Sequence, residues 1–177
     1  LTRGYFCTIV KANMIATELT FLSPTFGKMT LDQACQSIFD YMQEEPKNRY
    51  SIIIGSDSEG FGEVNFVTAL MVHRIGRGGR CFITKTKVPN IVELRQKIYQ
   101  EATLSLEITQ LVVKKLKHFL SEEYLHKGLE IHVDIGENGP TKDMIKEVTG
   151  MIKGSGYTVR IKPESYCASS VADRYTG

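Results

Sequence analysis

Cysteine is sparse in this chain and widely scattered. Cys7, Cys35, Cys81 and Cys167 form no CxxC pair, which argues against a zinc ribbon or a dithiol redox motif. Reduced thiols in the cytoplasm are the simplest expectation. Long apolar runs are missing as well. None approaches the roughly 20 residues of a spanning helix, so no membrane partner is expected. The opening stretch, LTRGYFCTIVKANMIATEL, has too few apolar residues for a secretory signal. Residues 1–21 are expected to be an N-terminal extension, disordered in part. Repeats, low-complexity tracts and linkers are absent. The remainder, 22–177, has the length of a single domain.

Strong charge of one sign is also lacking, since the net charge is only +2. Its distribution is less even. Arg74, Arg77, Arg80, Lys85, Lys87, Arg95 and Lys97 face Glu93 alone, giving +6 over residues 74–97. Two readings fit: a patch facing nucleic acid, or a solvated hairpin that protects a sheet edge.

Turn signals and apolar periodicity divide the chain. SPTFGKMT reads as a loop. Thr30 and Gln33 have capping-box spacing ahead of a helix reaching about Glu45. Three strands follow, Tyr50 to about Asp57, Val64–Ile75 and Arg80–Lys87, with short connections that suggest antiparallel neighbours. A long helix spans about Val92 to Leu120. A fourth strand, LEIHVDIG, begins near Leu129 and is expected to run parallel to the first. A helix over about Thr141–Lys153, a fifth strand, YTVRIK, and a short terminal helix complete the chain. The order is helix, then β-β-β-α-β-α-β-α, an α/β chain with a mixed sheet and helices on both faces.

Four carboxylates stand out. The stretch SIIIGSDSEG carries three isoleucines of a buried strand into Asp57. In LEIHVDIG, Ile131, Val133 and Ile135 share one face, and His132 and Asp134 the other. If the first and fourth strands are parallel neighbours, Asp57 and Asp134 lie at the same edge, where open α/β sheets tend to bind ligands. Glu101 falls on the apolar stripe of the long helix, beside small Ala102 and Ser105. The plain alternative is a surface pair with Lys97, four residues earlier. Asp173, in SSVADRY, shares a helical face with Tyr166, Ser169 and Ser170; the plain alternative is an exposed acid beside Arg174. Each acid alone has an ordinary explanation. Together they suit a pair of hard divalent cations about 4 Å apart, able to activate water against a phosphodiester.

Other candidates carry less. GENGPTKD offers Asn138 and Lys142 near a helix start, where a phosphate can bind. It lacks the GK[ST] ending of a nucleotide loop, so ATP binding is not expected. IKPESY places Lys162 and Tyr166 ahead of the last acid, where a cation and an aromatic can hold a strand. Ser56 and Ser58 suit hydrogen-bond support of a metal site, and no histidine is placed to make either a nucleophile. His132 is read as a hydrogen-bonded structural residue.

The stretches SPTFGKMTL, IGSDSEG, QEATLSL, IHVDIGENGPTKDMIKEVTGMIKGSGY and IKPESYCASSVADRYT resemble the bacterial YkuK family of ribonuclease H-like proteins, over roughly residues 22–176. The resemblance implies a ribonuclease H-like fold with a five-stranded mixed sheet of order 3-2-1-4-5, strand two antiparallel, flanked by helices and preceded by an extra N-terminal helix. It implies that Asp57, Glu101, Asp134 and Asp173 are the catalytic, metal-binding positions, with two Mg²⁺ or Mn²⁺ ions as cofactors. Ser58, Asn138, Lys142, Lys162, Tyr166 and Ser169 are the candidate substrate contacts. The chain departs from some ribonucleases H in having no histidine after His132.

The expected function is metal-dependent hydrolysis of RNA, RNA/DNA hybrid or DNA, leaving 5′-phosphate and 3′-hydroxyl ends as the resemblance implies. The alternatives are a non-catalytic nucleic-acid-binding module of the same fold, and a regulatory protein or phosphatase acting on small phosphoesters.

Overall fold

The computed structural model describes residues 19–176. Residues 1–18, and with them Cys7 and nearly all of the expected extension, lie outside the described residues. A short hairpin, β1 (Thr20–Ser23) and β2 (Gly27–Thr30), leads into helix α1 (Leu31–Glu44). The meander β3 (Tyr50–Ser58), β4 (Gly62–Arg74) and β5 (Gly78–Ile91) follows, then helices α2 (Leu94–Leu116) and α3 (Glu122–Gly128). Strand β6 (Leu129–His132), helix α4 (Ile145–Gly154) and strand β7 (Thr158–Arg160) come next. The chain closes on a π-helix, Cys167–Ala172, and a 3₁₀ turn, Asp173–Tyr175.

The sheet corrects the expected one. It has seven strands, not five, in the order β2-β1-β5-β4-β3-β6-β7: the five expected strands keep their succession, as β5-β4-β3-β6-β7, and two more extend the sheet beyond β5. The added strands are the first hairpin, part of which read as loop. Each is only four residues long; β1 alternates in burial but its sequence, TFLS, does not alternate polar with apolar, and β2 is almost wholly exposed. Residues Thr20 and Phe21 of β1 also fall inside the segment assigned to the extension. Strand β1 meets β5 through Leu22 and Ile83. Strands β3, β6 and β7 run parallel, and the remaining pairs are antiparallel.

The capping box at α1 is present. Thr30 Oγ1 accepts the Gln33 N–H at 3.2 Å, and Gln33 Oε1 accepts the Thr30 N–H at 2.9 Å.

The two sheet faces are covered unequally. Ile52, Ile54, Leu70, Val72, Phe82 and Ile131 form one apolar cluster with α1, α2, α3 and α4. On the other face Ile53, Val67, Ala69, Met71 and Ile83 pack against Cys167 and Ala172. The π-helix can lie that close because β3 has a glycine beneath it. A Cβ on Gly55 would come within 2.8 Å of the Ala168 nitrogen and 3.1 Å of the His132 carbonyl oxygen.

Most of the basic segment is neutralised. Five of its seven cations have carboxylate partners: Arg74, Arg77 and Arg80 with Glu44 or Glu45, Lys87 with Glu63, and Arg95 with Glu147. Arg74 is itself buried, with its guanidinium 4.3 Å from the Tyr41 ring centroid. This accounts for much of the local charge without a nucleic-acid partner.

Candidate nuclease site

Two parallel strands bring the first acids together. Gly55 of β3 pairs with His132 of β6. Two residues further along each chain stand Asp57 and Asp134, at the same edge of the sheet. Asp134 lies just beyond β6, in a segment still bonded to its neighbour: Val133 N–H donates to Arg160 O, and Lys162 N–H to Ile135 O, both at 2.9 Å.

Helix α2 adds Glu101 through a matched register. Four helical residues rise about 6 Å, and two strand residues span about 6.7 Å. Ser105 therefore meets Ser56, with Oγ to Oγ 2.8 Å, and Glu101 meets Ser58, whose hydroxyl donates to Oε1 at 2.7 Å. Ser56 also bonds Thr68 at 2.8 Å, so a buried chain of hydroxyls fixes the helix on the sheet. One turn earlier, Lys97 Nζ donates to Ser58 O at 3.0 Å.

Glu101 is only 1% exposed and makes no ion pair with Lys97 within 4.0 Å. The surface pair with Lys97 is thus absent. Burial pushes the Glu101 carboxyl up to about 8. The Ser58 hydroxyl and the Lys97 charge oppose the rise, while Asp57 and Asp134 add to it.

The π-helix brings Asp173 in from the opposite face. Asp173 is near enough to Asp57 for its charge to act on the Asp57 carboxyl. Burial pushes the Asp57 carboxyl up to about 6; the Ser58 backbone N–H opposes this, and the charges of Asp134 and Asp173 reinforce it. Asp57 thus feels Asp134 and Asp173, and Glu101 feels Asp57 and Asp134. The four acids share one site.

They do not form a ready cage. Among the described residues no group of three His, Cys, Asp or Glu side chains is arranged to hold one ion. Two of the acids are turned toward protein partners: Glu101 toward Ser58, and Asp134 toward Lys162, whose Nζ lies 2.9 Å from Oδ2. The donor chemistry nevertheless suits hard divalent cations. Every candidate ligand is a carboxylate oxygen. Asp134 Oδ1 is buried with no hydrogen-bond partner. The elevated Asp57 and Glu101 are what crowded, desolvated carboxylates show when no cation offsets them.

The candidate substrate contacts divide. Ser58 and Lys162 touch the acids directly. The Lys162 stem packs on Gly136, where a Cβ would come within 3.1 Å of Lys162 Cβ. Asn138 and Lys142 are exposed in the segment after β6, with no bond to the acids. Tyr166 turns to His73, its hydroxyl 3.2 Å from Nδ1, and stacks edge-on against His132. The Ser169 hydroxyl returns to Ser165 O at 3.2 Å, within its own turn. His132 is structural, as read. Its Nδ1 accepts the Cys167 N–H at 3.3 Å, which leaves Nε2–H for Glu130 at 3.4 Å.

Two residues at the rim were not read as site residues. Lys97 enters the sequence reading as one cation of the basic segment and as a partner for Glu101 within its helix, not as a residue of this site. Phe61 lay in a turn, EGFGE, whose one signal was an aromatic between glycines.

A model of the family described as ribonuclease H-like matches residues 33–177. An uncharacterised protein, YkuK of Bacillus subtilis (strain 168), is 32% identical over 176 residues, 92% of this chain and 99% of the relative. No solved structure gives a significant match.

Proposed function

Since this chain belongs to the ribonuclease H-like family, we propose that it is a metal-dependent nuclease with its centre at Asp57, Glu101, Asp134 and Asp173. What supports the reading is that Asp57 and Asp134 stand beyond paired parallel strands, that Ser58 ties Glu101 to the same end of the sheet, and that Asp173 is near enough for its charge to act on Asp57. The four acids would hold a pair of Mg²⁺ or Mn²⁺ ions, which would supply an activated water and stabilisation of the leaving oxygen of a phosphodiester.

The remaining roles belong to the chain. Asp57, whose carboxyl interacts with those of Asp134, Asp173 and Glu101, would hold the cations together with them. Ser58 holds Glu101 by one oxygen and leaves the second available. Lys162 balances Asp134 in the resting protein. Were Asp134 to hold a cation instead, the Lys162 ammonium would be free to neutralise a substrate phosphate. The substrate class is nucleic acid, as RNA, hybrid or DNA.

One observation favours the non-catalytic module instead: Lys162 already satisfies half of the Asp134 carboxylate. The neutralised basic segment weighs against it. Labelled single-stranded and duplex RNA, hybrid and DNA, incubated with Mn²⁺ or Mg²⁺, separate the readings. The expected result is cleavage of at least one substrate, lost on chelation and reduced at least about 100-fold in Asp57→Asn and Asp134→Asn. Metal-dependent cleavage that survives in both variants would remove these acids from the centre.

A further inference from the structure

The turn between β3 and β4 carries an aromatic that the fold does not use. Phe61 is 59% exposed, the most exposed phenylalanine among the described residues. It is held outward by its neighbours. Gly60 has φ +77° and Gly62 φ +91°, left-handed conformations that glycine adopts at little cost. Beside the ring stands Lys97, its Nζ 5.6 Å from the centroid and 3.0 Å from Ser58 O. No carboxylate lies within 4.0 Å of that ammonium among the described residues. Lys97 is one helical turn from Glu101, so aromatic, cation and acids follow one another along the rim.

From this arrangement, and resting on the nuclease reading above, we infer that Phe61 and Lys97 form a subsite for one unpaired nucleotide. The base stacks on Phe61, and the adjoining phosphate meets Lys97 beside the acids. An exposed ring with a neighbouring cation is the pairing that single-stranded nucleic acid uses, because every base offers a π-face and every linkage a charge. A blunt duplex hides those faces. The substrate is therefore a single strand, or a duplex presenting an unpaired end, flap or loop at the site.

The chain contains no tryptophan, so Phe61→Trp introduces a single tryptophan at the subsite, excited selectively at wavelengths where the tyrosines do not absorb. Its emission is titrated with single-stranded oligo-dT and oligo-U in EDTA, where no cleavage can occur. Matched blunt duplexes serve as comparison. Ile75→Trp, at the opposite end of β4 and also exposed, reports non-specific quenching. The expected result is saturable quenching of Phe61→Trp by single strands, weak quenching by duplex, and none in Ile75→Trp. The deoxy and ribo oligomers show which sugar is preferred. Adding Lys97→Ala should lower the salt slope by about 0.7. Phe61→Ala should weaken single-strand binding about 5- to 100-fold. Equal quenching at both positions, no quenching, or unchanged binding in Phe61→Ala overturns the subsite.

The two readings fail separately. Cleavage lost in Asp57→Asn but unaffected in Phe61→Ala keeps the nuclease and removes the subsite. Quenching without cleavage of any substrate does the reverse.

Discussion

Glu101 is the residue whose environment asks most of the fold. A carboxyl pushed up to about 8 is protonated in the metal-free folded protein at neutral pH, whereas in the unfolded chain it ionises near its ordinary 4.5. Between those values the folded state holds a proton that the unfolded state has released. Stability therefore falls as pH rises through the window, the reverse of a salt-bridged acid. Glu101→Gln removes that dependence and keeps an amide near Ser58. In EDTA, the variant should lie close to the parent near pH 5 and exceed it near pH 8 by roughly 3–4 kcal/mol. Urea unfolding at the two pH values measures this, and parallel pH profiles for parent and variant would show that Glu101 is not held protonated. On the proposed reading the same substitution should also reduce metal-dependent cleavage, measured beside the urea unfolding.

At the scale of elements, the site depends on two close approaches. The first, α2 on β3, was legible in the sequence: Ile98, Ser105 and Ile108 mark a stripe, and Glu101 falls on it. The second, the π-helix on β3, was not. Regular helical spacing put Tyr166, Ser169, Ser170 and Asp173 on one face, but a π-helix bonds i to i+5 and turns its residues differently. Tyr166 accordingly reaches His73 and not the acids. The contact hinges on Gly55, which the sequence offered only as the end of an isoleucine run. Gly55→Ala should force the π-helix off the sheet, lowering stability by about 1–3 kcal/mol. It should also impair cleavage, by displacing Asp173, more than an equally destabilising core change such as Ile152→Ala. Thermal melts beside cleavage rates make the comparison. A Gly55→Ala protein as active as the parent would mean that Asp173 needs no such seat.

Across the whole molecule, long-range order was partly readable. The Ile52–Ile54 run, the short β3–β4–β5 connections and the crossover through α2 explain why β3 and β6 are parallel neighbours with an acid beyond each. The β1–β2 hairpin escaped because four-residue strands carry almost no periodic signal. The balance of charge escaped too. The basic segment looked like a surface until folding placed Glu44, Glu45, Glu63 and Glu147 against it. What remains on the surface by the acids is a smaller device, Phe61 with Lys97, and it comes from a turn and a helix 36 residues apart. The account as a whole rests on the four acids accepting cations together. Crystals soaked in Mn²⁺, with anomalous scattering recorded, test this most directly. The account predicts two peaks between Asp57, Glu101, Asp134 and Asp173, with Lys162 withdrawn from Asp134. Peaks elsewhere, or an intact Lys162–Asp134 pair with no manganese among the acids, would contradict it.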